Sequence, residues 1–483
     1  MNTIFCSSEV TPFSKTGGLA DVSSAIPRSL EELGYSICII TPLYKFIDIQ
    51  KYDLELVSEK IGVQVGDAIE LMDLYKGILP ESSIPVYFIK NQFLYREGLY
   101  VNEKGIEYED SAMRFLFFSK AIFAVLKYLQ IKTDIIHSND WHTGLVPFFL
   151  KSEYHSENLF KEIKTIFTIH NIGYQGIFPV EDVQEAGISE IYFTDECLGY
   201  HSKINFMKSG VLYSDLITTV SPTYANEIQT KEYGFGLEEH IQKRKNDLFG
   251  IVHGIHTTEW NPSIDPFIKQ NYDKNNMTGK AICKSDLQLE MGLEISDNPL
   301  IGIVSRLASQ KGIDLILEIF DQMMELDIQF ILLGTGNPTL EKALKEKEKK
   351  YKGRCSIKID FSNELAHKIE AGADMFLMPS TYEPCGLNQM YSMAYGTVPI
   401  VRKTGGLADT VKNYDFETSK GTCFVFDNIE GKELFETVQR AVNLYTSNPE
   451  KWEKLRKSIM KIDFSWKNSA KNWQKVYKNA LNK

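Results

Sequence analysis

Short apolar runs that stop in polar turn residues, with helical stretches between them, set the tightest limit on what this chain can fold into. Tyr35–Ile40 leads to Thr41-Pro42, Asp134–His137 to Ser138-Asn139-Asp140, Thr165–Ile169 to His170-Asn171, and Leu216–Val220 to Ser221-Pro222. Runs this short and this rich in Ile or Val fit strands buried on both faces of a parallel sheet, with functional loops at their carboxyl ends. The spacing predicts a helix over Met113–Leu129. A second series follows Trp260-Asn261-Pro262 to Pro266, with strands at Leu300–Val304, Phe330–Leu333, Met375–Met378 and Val398–Val401 and a helix at Asp314–Met324. Strand and helix alternate in both halves, which predicts an α/β protein with two parallel sheets.

A chain of 483 residues also exceeds the roughly 250–300 residues at which single cores stop growing. The expected divisions are an N-terminal domain at 1–250, a linker at 251–262, a C-terminal domain at 263–455, and helices at 456–483. Those last helices either pack back onto the N-terminal domain or close the second one.

A net charge of −11, from 53 Lys and Arg against 64 Asp and Glu, disfavours a nucleic-acid or anionic-membrane partner. The N-terminus lacks a basic segment followed by an apolar one, which argues against a secretory signal. The most apolar helical stretch, Phe115–Leu129, is broken by Ser119, Lys120 and Lys127, which argues against a membrane span. Seven cysteines without a CxxC pair indicate neither a disulfide framework nor a zinc site, and a reducing cytoplasm is expected.

One heptapeptide occurs twice: Lys15-Thr16-Gly17-Gly18-Leu19-Ala20-Asp21 returns letter for letter as Lys403-Thr404-Gly405-Gly406-Leu407-Ala408-Asp409. A Gly-Gly turn before a helix exposes backbone N–H groups, which suits an anion or close approach to a ligand. The two copies are expected at equivalent strand-to-helix junctions of two similar domains.

Chemistry-bearing residues gather at predicted strand ends. Glu383, in Pro379-Ser380-Thr381-Tyr382-Glu383-Pro384-Cys385-Gly386-Leu387-Asn388, would sit at the carboxyl edge of the second sheet. It would either bind sugar hydroxyls or cap the next helix. Gly386–Asn388 would begin that helix and offer free N–H donors. Cys385 reads as pocket lining or packing, with no neighbouring His to activate it. Arg306 and Lys311 follow a strand and match a diphosphate, Arg as a fork and Lys as a point charge. Two cations at a helix start are disfavoured by the dipole, so an anion should compensate them. Gly334-Thr335-Gly336 lets a chain pass near a nucleotide, but neither G-x-G-x-x-G nor a P-loop is present. Asp140 and His170, after successive first-half strands, should converge, with His170 either donating to a sugar hydroxyl or placing its backbone C=O at the anomeric carbon. His137, inside its strand, reads as core. His240, His253 and His256 lack metal-ligand spacing.

Taken together, these motifs resemble bacterial glycogen synthase and plant starch synthase. Further marks are Thr219-Val220-Ser221-Pro222-Thr223-Tyr224-Ala225 and Gln310-Lys311-Gly312. The resemblance implies a GT-B fold, two Rossmann-like domains facing across a deep cleft. It also implies a retaining transfer of glucose from ADP-glucose to the non-reducing 4-hydroxyl of an α-1,4-glucan or glycogen, without metal or cofactor. By similarity, Lys15 and Gly18 reach the distal phosphate and sugar, and Arg306 and Lys311 hold the diphosphate. Glu383, Cys385, Gly386 and Leu387 surround the donor glucose, with Gly336 on the donor side as well. Asp140 and His170 meet the glucose from the first domain. Phe361 aligns with an adenine-stacking position, while on residue type alone it reads equally as a buried aromatic. Tyr95 and His253 fall on the acceptor side. The chain departs from the family at His253-Gly254-Ile255-His256, where Asn-Gly-Ile-Asp is usual, and at Asn139, where His is common. Tyr391 stands where other GT-B transferases carry a second Glu. Two rival readings are a transferase using UDP-glucose and an impaired or regulatory glucan-binding protein.

Overall fold

The computed structural model describes residues 1–103, 105–184 and 186–483. The chain divides into two compact units. One is Met1–Val220 with Ala225–His253 and Trp466–Lys483; the other is Ser221–Tyr224 with Gly254–Ser465.

Among the described residues, the first unit holds a nine-stranded sheet and a small three-stranded one. Its strands are β1 (Asn2–Cys6), β2 (Ser36–Pro42), β3 (Glu55–Val65), β4 (Ala68–Ile78), β5 (Pro85–Lys90), β6 (Ile135–Asn139) and β7 (Lys164–Ile169). They continue with β8 (Ile177–Pro179), β9 (Gly199–Tyr200), β10 (Lys203–Asn205), β11 (Leu216–Thr219) and β12 (Leu248–Gly250). The large sheet runs β12-β11-β7-β6-β1-β2-β5-β4-β3. Its pairings from β12 to β5 are parallel, whereas β4 pairs antiparallel with β5 and β3. The expected parallel sheet is present, and an antiparallel β3–β4 hairpin extends it at one edge. The β3–β4 hairpin turns at Gly66, whose φ is +57°. Its strands are half-exposed, so they alternate polar with apolar and lack the continuous apolar run of a doubly covered strand.

The helix Ser111–Leu129 lies under this sheet, with most of its residues buried. Its polar breaks are accommodated inside: Ser119 Oγ donates to Phe115 O (2.8 Å), and Lys120 Nζ bonds both carboxylate oxygens of Glu153 (2.8 and 2.9 Å). No helix among the described residues is long and apolar enough to cross a membrane.

The second unit holds β13 (Leu300–Val304), β14 (Gln329–Leu333), β15 (Cys355–Lys358), β16 (Met375–Met378), β17 (Val398–Arg402) and β18 (Phe424–Phe426). They run β15-β14-β13-β16-β17-β18, parallel throughout. The C-terminal stretch is two helices. Pro449–Ile459 places Trp452, Leu455 and Ile459 in the second unit's core, and Trp466–Leu481 places Trp473 and Tyr477 in the first unit's core. The chain thus crosses at 253–254 and returns at 465–466, where a division at 455–456 was expected.

Topology corrects the reading of the repeated heptapeptide. In the first sheet β1 lies between β2 and β6, with β7 beyond β6; in the second, β13 lies between β14 and β16, with β17 beyond β16. The second copy follows β17, so its counterpart is the His170 junction after β7. The counterpart of the Lys15 copy is the Arg306 segment after β13. Identical letters occupy inequivalent junctions.

Candidate active site

In the first unit, β6 delivers Asp140 with φ +53° and ψ −179°, a conformation that non-glycine residues avoid at a cost of about 1–3 kcal/mol. Bonds on several sides hold it. Asp140 N–H donates to Thr168 O (2.9 Å), and the carboxylate accepts from the N–H groups of His170 (2.7 Å) and Asn171 (3.4 Å). Asp140 and His170 are thus brought together, Asp140 organising the chain after β7. Burial pushes the Asp140 carboxyl up to about 7, against the lowering effect of those two bonds.

His170 Nε2 lies 2.9 Å from Asn139 Oδ1, and Asn139 Nδ2 donates to Cys6 O (3.0 Å). With its amide hydrogens directed at Cys6, Asn139 accepts from His170, so the imidazole proton sits on Nε2 and Nδ1 is the acceptor. The expected donation from His170 to a sugar hydroxyl is corrected accordingly: that hydrogen is spent on Asn139. Burial, then the neighbouring His253 and His137, hold this imidazole well below its usual range. The His253 ring lies 5.8 Å from the His170 ring and 5.4 Å from the Trp466 ring. Its buried Nε2 has no hydrogen-bond partner among the described residues, and burial lowers its pKa to about 3. His137 is core, bonded to Tyr477 Oη and Thr168 Oγ1.

The Lys15–Gly18 turn is exposed. Lys15 Nζ pairs with Asp21 at 2.8 Å, a solvated contact that contributes little to stability. The N–H groups of Thr16 and Gly17 do not face outward as a free anion nest; both donate to the Glu9 carboxylate. Tyr95 belongs to the loop after β5. It lines a cavity of about 270 Å³ with Leu71, Asp73, Lys90, Asn91 and Gln92, the Lys90 ammonium lying 5.0 Å from its ring. Trp141, next to Asp140, lines a different cavity of about 330 Å³ with Tyr174 and Gln175.

In the second unit, Lys311 Nζ pairs with Glu383 Oε2 at 2.6 Å, and Ser380 Oγ donates to the same oxygen at 2.9 Å. The charge that compensates Lys311 at its helix start is therefore Glu383. Arg306 is exposed two residues past the end of β13. Gly336 opens room for protein: a Cβ there would lie 2.3 Å from Leu307 O, and its N–H donates to Glu341. It seats the Arg306 segment, and that N–H is not free for a nucleotide. Phe361 is 86% exposed, so the alternative of a buried aromatic is overturned. Cys385 is buried, and Gly386 takes φ +67° before the helix Asn388–Ala394. The second heptapeptide copy buttresses this segment: Gly406 N–H donates to Glu383 O and Pro384 O, both at 3.1 Å. Tyr391 stacks on Trp260 at 3.9 Å.

Sequence reading missed Glu9, Tyr100 and the role of Ser380. The run Thr3–Cys6 followed by Ser7-Ser8-Glu9 carried the same strand-end signal as the others and pointed to the first of these. Among the described residues, no group of three or more His, Cys, Asp or Glu side chains is placed to hold a metal ion.

Residues 2–243 match the family described as starch synthase catalytic domain, and residues 289–460 match glycosyl transferases group 1. The chain is 45% identical to the glycogen synthase of Pseudothermotoga lettingae over 98% of both chains. It is 42% identical to that of Desulforudis audaxviator over 100% of this chain and 97% of the relative. The catalytic domain of starch synthase IV from Arabidopsis thaliana, solved bound to ADP and acarbose, superposes with a TM-score of 0.92 at 32% identity, covering 100% of this chain and 99% of that one.

Proposed function

The chain belongs to the starch and glycogen synthase family of glycosyltransferases, with the GT-B fold, and on that premise we propose that it transfers glucose from ADP-glucose to the non-reducing 4-hydroxyl of an α-1,4-glucan, building glycogen. The full-length likeness to glycogen synthases, with Asp140, His170 and Glu383 each in a loop that follows a strand, carries this reading.

The C1–phosphate bond breaks, ADP departs, and the acceptor oxygen bonds to C1 on the same face. The acceptor proton passes to the departing phosphate oxygen. The leaving group gathers negative charge, and preorganised donors stabilise it best where water is excluded. Arg306 and Lys311 are assigned that role, Lys311 turning from Glu383 towards phosphate as charge develops there. Glu383, with the segment Cys385–Leu387, is assigned the donor glucose, and Phe361 the adenine. On the first unit, Lys15 and Gly18 are assigned the phosphate and sugar, and Tyr95 and His253 the acceptor. The Asp140 carboxylate and the His170 region are assigned the oxocarbenium-like anomeric carbon, where negative oxygen is stabilising. The Arabidopsis relative was solved with ADP, which favours an adenine donor over UDP-glucose. Seven free thiols fit a reducing cytoplasm, where we place the enzyme.

The test is incorporation of labelled glucose into glycogen from ADP-glucose and, separately, UDP-glucose. Incorporation from ADP-glucose that is lost in Glu383→Ala is expected. Faster use of UDP-glucose would overturn the donor, and glucan binding without any transfer would leave only the regulatory reading.

A further inference from the structure

Glu9 is a carboxylate buried to 3% exposure just past β1, and its side-chain bonds converge on one turn. Oε2 accepts from the N–H of Thr16 at 2.5 Å and of Gly17 at 3.3 Å, while Oε1 accepts from Thr16 Oγ1 at 2.8 Å. Tyr100 Oη donates to Oε1 at 2.6 Å and lies 2.8 Å from Ser8 Oγ. The Tyr100 ring stacks on His142 with centroids 4.5 Å apart, two residues past Asp140. Glu9 thus ties the loop after β1 to Tyr100, whose ring in turn packs on the loop after β6.

Taking a carboxylate out of water is costly, and charge-assisted bonds offset that cost only where the geometry is good. Here the bonds reach an exposed turn, Lys15 to Gly18, and a Cβ placed on Gly17 would meet nothing within 4 Å. The bonds therefore order a surface turn and add no apolar core. Burial raises the carboxyl's pKa, and the bonds from Tyr100, Thr16 and Gly17 work against that rise.

We propose that Glu9 is a positioning residue for glucosyl transfer, clamping the Lys15–Gly18 turn in the orientation that presents Lys15 to the sugar nucleotide. The inference rests on the reading of that turn as donor-binding. It assigns Glu9 no contact with substrate; Glu9 acts through Thr16, Gly17 and Tyr100.

The experiment compares Glu9→Gln, Lys15→Ala and the double variant in steady-state assays with ADP-glucose and glycogen, alongside thermal melts. Gln keeps the shape but points an amide NH2 at donors on one side. We expect kcat/KM for ADP-glucose to fall about tenfold to a hundredfold, with the KM for glycogen and the melting temperature close to wild type. The double variant should be no slower than the slower single variant, because both act through one turn. Near-normal kcat/KM in Glu9→Gln beside a crippled Lys15→Ala refutes the Glu9 role alone, as do independent, multiplying losses. A near-normal Lys15→Ala refutes the donor reading of the turn itself. Should Glu9→Gln fail to fold, Thr16→Val removes one bond from an exposed position. A threefold or larger loss there, about 0.6 kcal/mol or more of a bond ordinarily worth about 1 kcal/mol, supports the clamp, and no loss overturns it.

Discussion

Lys311 Nζ and Glu383 Oε2 form a 2.6 Å ion pair, with Glu383 6% exposed and Ser380 as its other bonded side chain. Removing the cation strands a buried carboxylate, which costs more than removing the acid from a lysine that can turn to water. Lys311→Ala should lose up to about 3 kcal/mol in urea unfolding, and Glu383→Gln clearly less. Both should lose transfer activity; equal stability losses would refute the asymmetry.

Asp140 is 9% exposed and its carboxyl is held at about 7, against 3.8 for a free Asp. The folded pKa is the higher one, so the unfolded chain releases this proton first. Its contribution to stability is full below pH 4 and is lost as pH rises through 7, by roughly 4 kcal/mol. Asp140→Asn should flatten that fall in denaturant titrations across pH 4–8, while the loss of transfer activity should be greatest above about pH 7, where the wild-type carboxyl is ionised. A wild-type slope in Asp140→Asn would count against the buried carboxyl.

His253 has the opposite sign. Its folded pKa of about 3 lies below the free value of 6.5, so the unfolded chain takes up the proton first. The stability it contributes is present above pH 6.5 and is lost as pH falls towards 3. His253→Asn, the usual family residue, should move the acid-unfolding midpoint to lower pH, read by circular dichroism. An unmoved midpoint would mean this imidazole does not govern acid sensitivity.

The two heptapeptide copies should answer alanine differently. A Cβ on Gly405 would lie 2.0 Å from Glu383 O and 2.9 Å from Glu383 C, whereas one on its counterpart Gly17 meets nothing within 4 Å. Gly405→Ala should cost about 2 kcal/mol or more, because backbone must move, and should impair transfer by shifting Glu383. Gly17→Ala should melt within a degree or two of wild type. Equal melting shifts would show that the copies are structurally alike after all.

Phe361 exposes 86% of its surface, so Phe361→Ala should leave stability unchanged. Stacking on a base contributes about 1–3 kcal/mol, so the KM for ADP-glucose should rise at least fivefold. An unchanged KM would remove Phe361 from the donor site.

What could be read directly from the residues was local. Buried parallel strands such as Leu300–Val304 and Met375–Met378 need continuous apolar runs, and both appear with those bounds. The motifs that place Asp140, His170, Lys311 and Glu383 at strand ends were legible for the same reason, since a strand must stop where polar turn residues begin. The identity of partners was not legible. That Lys311 is neutralised by Glu383, that His170 spends its proton on Asn139, and that Glu9 holds the Lys15–Gly18 turn all depend on which loops the sheet order sets side by side. Strand order likewise sent two identical heptapeptides to different duties. Seven residues encode a turn and the start of a helix, but what that turn touches is decided by chain segments hundreds of positions away.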